Sequence, residues 1–228
     1  AIIDEDDLII HGKLREGFVG KELLFHTATT SGTENVLIAA CIAKGKTVIN
    51  NAHTRPEIQD FVNFLNRMGA KINYRTRRIE VIGVDELHGC EYTIMNDRDE
   101  AVTFMALAGI TRGEIVIRDF NTSSIQTDTM LLRNSGMDIF VWGQDTYISA
   151  KNRTLGPISL TTGPYPGIAD MQTIFAALAC KSEGESIITD VRFSKRFAFV
   201  NEFKKFGIDI DNFSNTAVIR GTDHIRGS

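Results

Sequence analysis

The chain has 228 residues, 43% of them hydrophobic and 24% charged, with 25 basic against 29 acidic side chains. Those proportions exclude a fibre or a disordered tail, and a formal net charge of −4 excludes a general electrostatic pull on nucleic acid or on an anionic membrane. No apolar run reaches the roughly 18 residues that a membrane helix needs, and the acidic start AIIDEDDLIIHG is unlike a signal peptide, so the expectation is a cytoplasmic protein.

In chain order, the first predicted elements are a strand at LLFHTA, a helix through ENVLIAACIAKG that ends near Gly45, and a β-branched strand at Thr47-Val48-Ile49. A second helix follows with Ile58, Phe61, Val62, Leu65 and Met68 on one face, stopped by Gly69. KINY and RIEVIG around Thr76 then read as a hairpin. The same order returns twice. EYTIM, AVTFMALAGITRG, Ile115-Val116-Ile117, a helix closed by Gly136, and DIFVW with TYIS around Gly143 form the second copy. PISLTT, MQTIFAALACKSEG, Ser186-Ile187-Ile188, a helix closed by Gly207, and DIDNF with TAVIRG around Ser214 form the third. The Gly-to-Gly spacings within the copies are 24 (45 to 69), 23 (113 to 136) and 23 (184 to 207). The predicted architecture is therefore α/β, with three β-α-β-α-β-β units whose helices cover one face of each small sheet. The stretches 83–89 and 151–156 are the expected links between units.

Position-by-position comparison of the copies separates what they share from what they do not. Fourteen residues before the first Gly stand Ser31, Asp99 and Asp170, all good helix N-caps, and Ser31 with Glu34 spells a capping box. Asp170 has a second reading, because the GPYPGIA loop before it would hold a carboxylate at a helix mouth. Eleven residues before the second Gly stand Ile58, Ile125 and Arg196, so one copy puts a cation where its sisters put an apolar side chain. A guanidinium there either reaches solvent along its stem or forks onto a carboxylate or phosphate. Arg192 and Lys195 make the same segment basic. Asp97-Arg98 is a charged couple at the start of the second copy's first helix. Cys41 and Cys180 hold equivalent helix positions and read as small core residues, while Cys90 carries no signal; neither the three cysteines nor the five histidines show a metal-ligand spacing, and no metal or cofactor is expected. Dinucleotide and P-loop glycine signatures are absent.

With TTSGTENVLIAACIAKGKTVINNAHTRPEIQDFVNFLNRMGAKI, Asp97-Arg98, Ala169-Asp170-Met171-Gln172 and Arg196-Phe197 in this order, the sequence resembles the enolpyruvyl transferases over nearly its whole length. The resemblance implies a two-domain, inside-out α/β barrel of six such units, of which this chain matches the third to fifth. It implies transfer of the enolpyruvyl group of phosphoenolpyruvate to the 3-hydroxyl of UDP-N-acetylglucosamine, with release of phosphate, in peptidoglycan synthesis. By the same resemblance Asp170 handles the proton of the acceptor hydroxyl and Arg196 faces the phosphoenolpyruvate anion. Thr27, Ala28, Thr29 and Thr30 then contact the uridine nucleotide, Arg192 stands beside the nucleotide sugar, and Asp97 and Arg98 mark a hinge or cleft. The family commonly has Lys where this chain has Thr27, and a small apolar residue where it has Arg192. The reactive-cysteine loop of the family has no counterpart here, so the chain is expected to be part of a longer enzyme and inactive alone. Residues 1–88 are then the end of one domain and 89–228 part of the other. Two further readings are the sister reaction on shikimate 3-phosphate and a three-unit binding scaffold without chemistry.

Overall fold

The computed structural model describes residues 2–5, 10–13, 17–163, 169–193 and 195–227; side chains are described from residue 17 onward and from Asp170 after the central gap. The chain divides into two compact units, Ala1–Met95 and Asn96–Ser228, each with a core of its own. The sequence expectation placed the junction seven residues earlier.

In the first unit a short antiparallel pair, β1 (Ile2–Glu5) and β2 (Ile10–Lys13), precedes the repeat. Then come β3 (Glu22–Leu24), α1 (Thr30–Cys41), β4 (Lys46–Asn50), α2 (Pro56–Arg67), β5 (Lys71–Arg75) and β6 (Arg78–Ile82). The sheet runs β3-β4-β6-β5, with β3 parallel to β4 and the other neighbours antiparallel. The parallel pair needs a crossover, which α1 provides, whereas β5 and β6 close through a two-residue turn. Helix α2 buries Ile58, Val62 and Leu65, the i, i+4, i+7 stripe of a one-faced helix. Each such side chain contributes roughly 2 kcal/mol by leaving water.

The second unit holds two repeats. The first consists of α3 (Arg98–Ile110), β7 (Glu114–Ile117), α4 (Gln126–Asn134), β8 (Asp138–Trp142) and β9 (Asp145–Ser149). Its sheet is β7-β9-β8, three strands and not four. The leading strand expected at EYTIM does not form, because residues 88–95 are drawn onto α2 instead. His88 N–H donates to Met68 O, Tyr92 Oη donates to Asp60 Oδ1 (2.8 Å), and Met95 N–H donates to Asp60 Oδ2. The Tyr92 ring leans on Phe64, with centroids 5.4 Å apart. Of these donors, the Met95 N–H is the one that belongs to the backbone of EYTIM and that a neighbouring strand would otherwise take. The last repeat has β10 (Ser159–Thr162), α5 (Gln172–Ala179), β11 (Glu185–Asp190), α6 (Phe199–Lys205), β12 (Asp209–Phe213) and β13 (Thr216–Arg220). Its order β10-β11-β13-β12 reproduces the first repeat.

Each second helix ends as the sequence predicts. Gly69, Gly136 and Gly207 have φ of 99°, 101° and 79°. Each donates to the carbonyl three residues back (Asn66, Arg133, Lys204), and the next residue donates five back (Leu65, Leu132, Phe203), the paired bonds of a Schellman end. The first helices differ from expectation: they stop three to five residues before Gly113, Gly45 and Gly184, and in the middle repeat the left-handed residue is Arg112 (φ 51°), not Gly113. Among the described residues no helix is long and apolar enough to cross a membrane.

Candidate functional site

The caps expected at Ser31 and Asp99 lie two residues earlier. Thr29 caps α1, accepting from Gly32 N–H, and Asp97 caps α3, its Oδ1 accepting from Asp99 N–H (2.8 Å) and Glu100 N–H (3.0 Å). Ser31 and Asp99 are thereby inside the first turns, and the capping box of Ser31 and Glu34 does not form: the Ser31 carbonyl accepts from Asn35 as part of the helix surface. The reason is backbone conformation, since a cap needs extended dihedrals and Thr29 (φ −131°, ψ 131°) and Asp97 (φ −70°, ψ 112°) have them. Arg98 does not pair with Asp97. It turns inward to 5% exposure, with Asp99 Oδ1 at 3.7 Å.

Asp170 is not a side-chain cap of α5. It sits in a single 3-10 turn, Ala169–Met171, that leads into that helix, and its Oδ1 accepts from Arg196 Nη1 at 2.9 Å. The structure thus brings together the two residues that the sequence singled out separately. Both side chains are more than 40% exposed, so the pair adds at most about 1 kcal/mol to stability.

The loop after β11 presents Arg196. Asp190, fully buried at its start, accepts at Oδ1 from Arg192 N–H (2.8 Å) and Phe193 N–H (2.7 Å). Arg196 N–H donates to Phe193 O, and Phe197 is buried behind it. The Arg192 and Arg196 guanidinium carbons lie 4.9 and 4.2 Å from the Phe193 ring centroid, so both cations stack on one ring. Arg192, Phe193, Lys195 and Arg196 line an open cavity of about 400 Å³. Three cations and an aromatic face border this open space, chemistry that can receive an anion with a flat apolar side. Sequence reading missed Asp190 and Phe193. A signal existed for Asp190, because the position six after the first Gly is Asn51, Asp119 and Asp190 in the three copies.

The other expected residues lie elsewhere. Thr27 is exposed, Ala28 is 2% exposed, and Thr29 and Thr30 form the cap and first residue of α1 in the first unit. Thr29 O accepts from Thr33 Oγ1 (2.6 Å), which ties the first turn of α1 to its cap. Asp97 and Arg98 open the second unit, directly after its boundary. Burial pushes the Cys180 thiol up to about 12 and raises that of Cys41, which leaves neither as a thiolate nucleophile near neutral pH.

Residues 8–228 match the family model described as EPSP synthase (3-phosphoshikimate 1-carboxyvinyltransferase). UDP-N-acetylglucosamine 1-carboxyvinyltransferase 1 of Legionella pneumophila (strain Lens) is 37% identical over 230 residues, covering 100% of this chain and 45% of that protein. UDP-N-acetylglucosamine 1-carboxyvinyltransferase of Oleidesulfovibrio alaskensis (strain ATCC BAA-1058 / DSM 17464 / G20) is 38% identical over 230 residues, covering 100% and 55%. Among solved structures, the enolpyruvyl transferase NikO from Streptomyces tendae superposes with a TM-score of 0.76 at 21% identity, over 84% of this chain and 46% of that one. EPSP synthase from Acinetobacter baumannii gives 0.66 at 20%, over 90% and 49%. These two show a common fold, and the chain spans about half the length of the curated relatives it matches. With the family model matched across the repeats and the charged loop alike, the chain belongs to the EPSP synthase (3-phosphoshikimate 1-carboxyvinyltransferase) family.

Proposed function

We propose that this chain carries part of the site of an enzyme that moves the enolpyruvyl group of phosphoenolpyruvate to the 3-hydroxyl of UDP-N-acetylglucosamine, in the cytoplasmic phase of peptidoglycan synthesis. The observation that carries the reading is the Asp170–Arg196 pair at 2.9 Å on the rim of a cationic cavity. Relatives at 36–38% identity that bear the name of this activity support it. In chemical terms, Arg196 is the fork for the carboxylate or phosphate of phosphoenolpyruvate. When the anion takes the guanidinium, the Asp170 carboxylate is released to accept the proton of the acceptor hydroxyl. The oxygen so activated bonds to C2 of phosphoenolpyruvate as C3 takes up a proton; the double bond re-forms when a C3 proton is lost and the C2–O bond to phosphate breaks, and Arg196 stabilises the charge that develops on the departing phosphate. Arg192 and Lys195 add field at the same rim.

On this reading residues 1–88 and 89–228 belong to different domains of the longer enzyme. Thr27 to Thr30 supply the nucleotide's contact from the first, and Asp97 with Arg98 stands at the crossing between them. Titration calorimetry of the 228-residue chain with UDP-N-acetylglucosamine, with shikimate 3-phosphate as the control, tests the proposal. Binding of the nucleotide sugar that weakens in Asp170→Ala and Arg196→Ala is the expected result. Preference for shikimate 3-phosphate would move the chain to the reaction after which its family model is named, and binding of neither would leave the scaffold reading.

A further inference from the structure

The sequence comparison singled out Arg196, yet the residue that shapes its loop is Asp190. This side chain is 0% exposed. Its backbone is pinned to the β12–β13 turn on both sides: Asp190 N–H donates to Asn215 O (2.8 Å), and Asp190 O accepts from Asn215 Nδ2 (3.2 Å). With the main chain fixed, Oδ1 gathers the N–H groups of Arg192 and Phe193 and forces the chain to turn back within three residues. Phe193 is the ring on which both arginines stack, so the turn sets where the two cations point.

The sister copies show that this arrangement is not a property of the scaffold. Asn51 has φ 58° and sends its side-chain N–H to Phe25 O instead. Asp119 has φ 52°, and its own N–H donates to the Asp145 carboxylate. Of the three, Asp190 is the one whose carboxylate folds its own loop.

A second observation concerns the ground beneath that loop. Asp190 Oδ2, Thr162 Oγ1 and both amide atoms of Gln172 are buried and find no hydrogen-bond partner among the described residues. Thr162 is the β10 residue in register with Asp190. Gln172, 12 before the first Gly of its copy, matches Thr33, whose Oγ1 accepts from His53 N–H; His53, 8 after its Gly, matches Arg192. In the first copy that place is a closed hydrogen bond, and in the third it is polar and unsatisfied. Such groups are few in a native core, and four of the atoms found here lie together beneath the Arg192–Arg196 loop.

We infer that Asp190 is a positioning residue that holds the Arg192–Phe193–Arg196 stack in the geometry that receives the substrate anion. The inference deepens the proposed function and rests on it for the identity of the anion, not for the shape of the loop. Two readouts keep these apart. In ¹⁵N-labelled protein, the Arg192 and Phe193 amides are expected downfield, as amides donating to a carboxylate are, and the Arg196 Nε–Hε resonance upfield, under the ring current of Phe193. In Asp190→Ala both signatures are lost and affinity for UDP-N-acetylglucosamine, or for inorganic phosphate as the minimal anion, falls about tenfold or more. In Asp190→Asn the Oδ1 acceptor remains, both signatures are largely retained, and affinity stays within about threefold of wild type. An Arg196 resonance unchanged in Asp190→Ala, or wild-type amides without the downfield shift, would overturn the positioning role. The wild-type measurement decides even if the alanine variant does not fold. Intact signatures in a wild-type chain that binds neither probe would overturn the substrate reading and leave the positioning role in place.

Discussion

The first and third repeats share a sheet order, a Schellman glycine and a two-residue hairpin, but they part at the entry to the second helix. In the first, Pro56 sets the opening φ, α2 runs for 12 residues, and Ile58 lies fully buried in its first turn. In the third, Ser194 and Lys195 stand where Pro56 and Glu57 do, and α6 starts only at Phe199 and runs for seven. The core position passes to Phe197, and Arg196 is left outside the helix to meet Asp170. A delayed helix start therefore converts a core position into an exposed, ion-paired one without touching the sheet.

Exchanging the two residues breaks the comparison most sharply. Ile58→Arg forces a guanidinium into a site with 0% exposure that is packed by Val62 and Leu65. A loss of about 4 kcal/mol is expected, read as a fall in the urea midpoint. A shared feature comes next. Gly83 and Gly221 each follow the last strand of a repeat, and a Cβ at either would collide with the carbonyl of Ala43 or Ser182. Gly83→Ala and Gly221→Ala should each cost about 3 kcal/mol. The middle repeat has Ala150 there, bonded to Gly113 O, and Ala150→Gly should cost only about 1 kcal/mol. Equal tolerance at all three positions would show that the first and third repeats close no more tightly than the middle one.

The reverse exchange sharpens the functional side. Arg196→Ile restores the sister residue at an exposed position, so the melting temperature should stay within a few degrees while affinity for UDP-N-acetylglucosamine falls roughly tenfold to a hundredfold. A variant that binds as wild type would detach the loop from the ligand.

Much of this was legible in the sequence, and the rest has physical reasons for being hidden. The helix ends at Gly69, Gly136 and Gly207 were readable because a left-handed residue is a local requirement that glycine meets at no steric cost. Asp170 and Arg196 were readable as departures from their sisters, but not as partners, because they lie 26 positions apart and only the fold between them brings them together. The caps were misplaced by two residues, since Ser31 and Thr29 have the same chemistry and only backbone conformation decides between them. The missing strand at EYTIM was hidden too. Its composition suits a strand, and the preference was overruled by Asp60, one carboxylate on a neighbouring helix.

The smallest effect expected concerns how the second and third repeats are stitched together. Asp223 accepts from Lys181 Nζ (3.1 Å) and Arg112 Nη2 (3.1 Å), and these contacts, the Lys181 hydrogen bond foremost, hold its carboxyl below the usual 3.8. The first repeat has Asp85 at the matching place, since Val84 N–H donates to Cys41 O as Thr222 N–H does to Cys180 O, but it has Ile42 where Lys181 stands. A depressed carboxyl contributes stability above its unfolded value and loses it as pH falls through the folded one. Asp223→Asn should therefore be slightly less stable than wild type near pH 7, by an amount that shrinks as the pH drops below 3.8 and vanishes once both carboxyl forms are protonated. Parallel melting curves of Asp223→Asn and wild type between pH 7 and pH 3 would reveal it, and a gap that does not change with pH would mean that the exposed Asp223 cluster is too well screened by solvent to hold the repeats together.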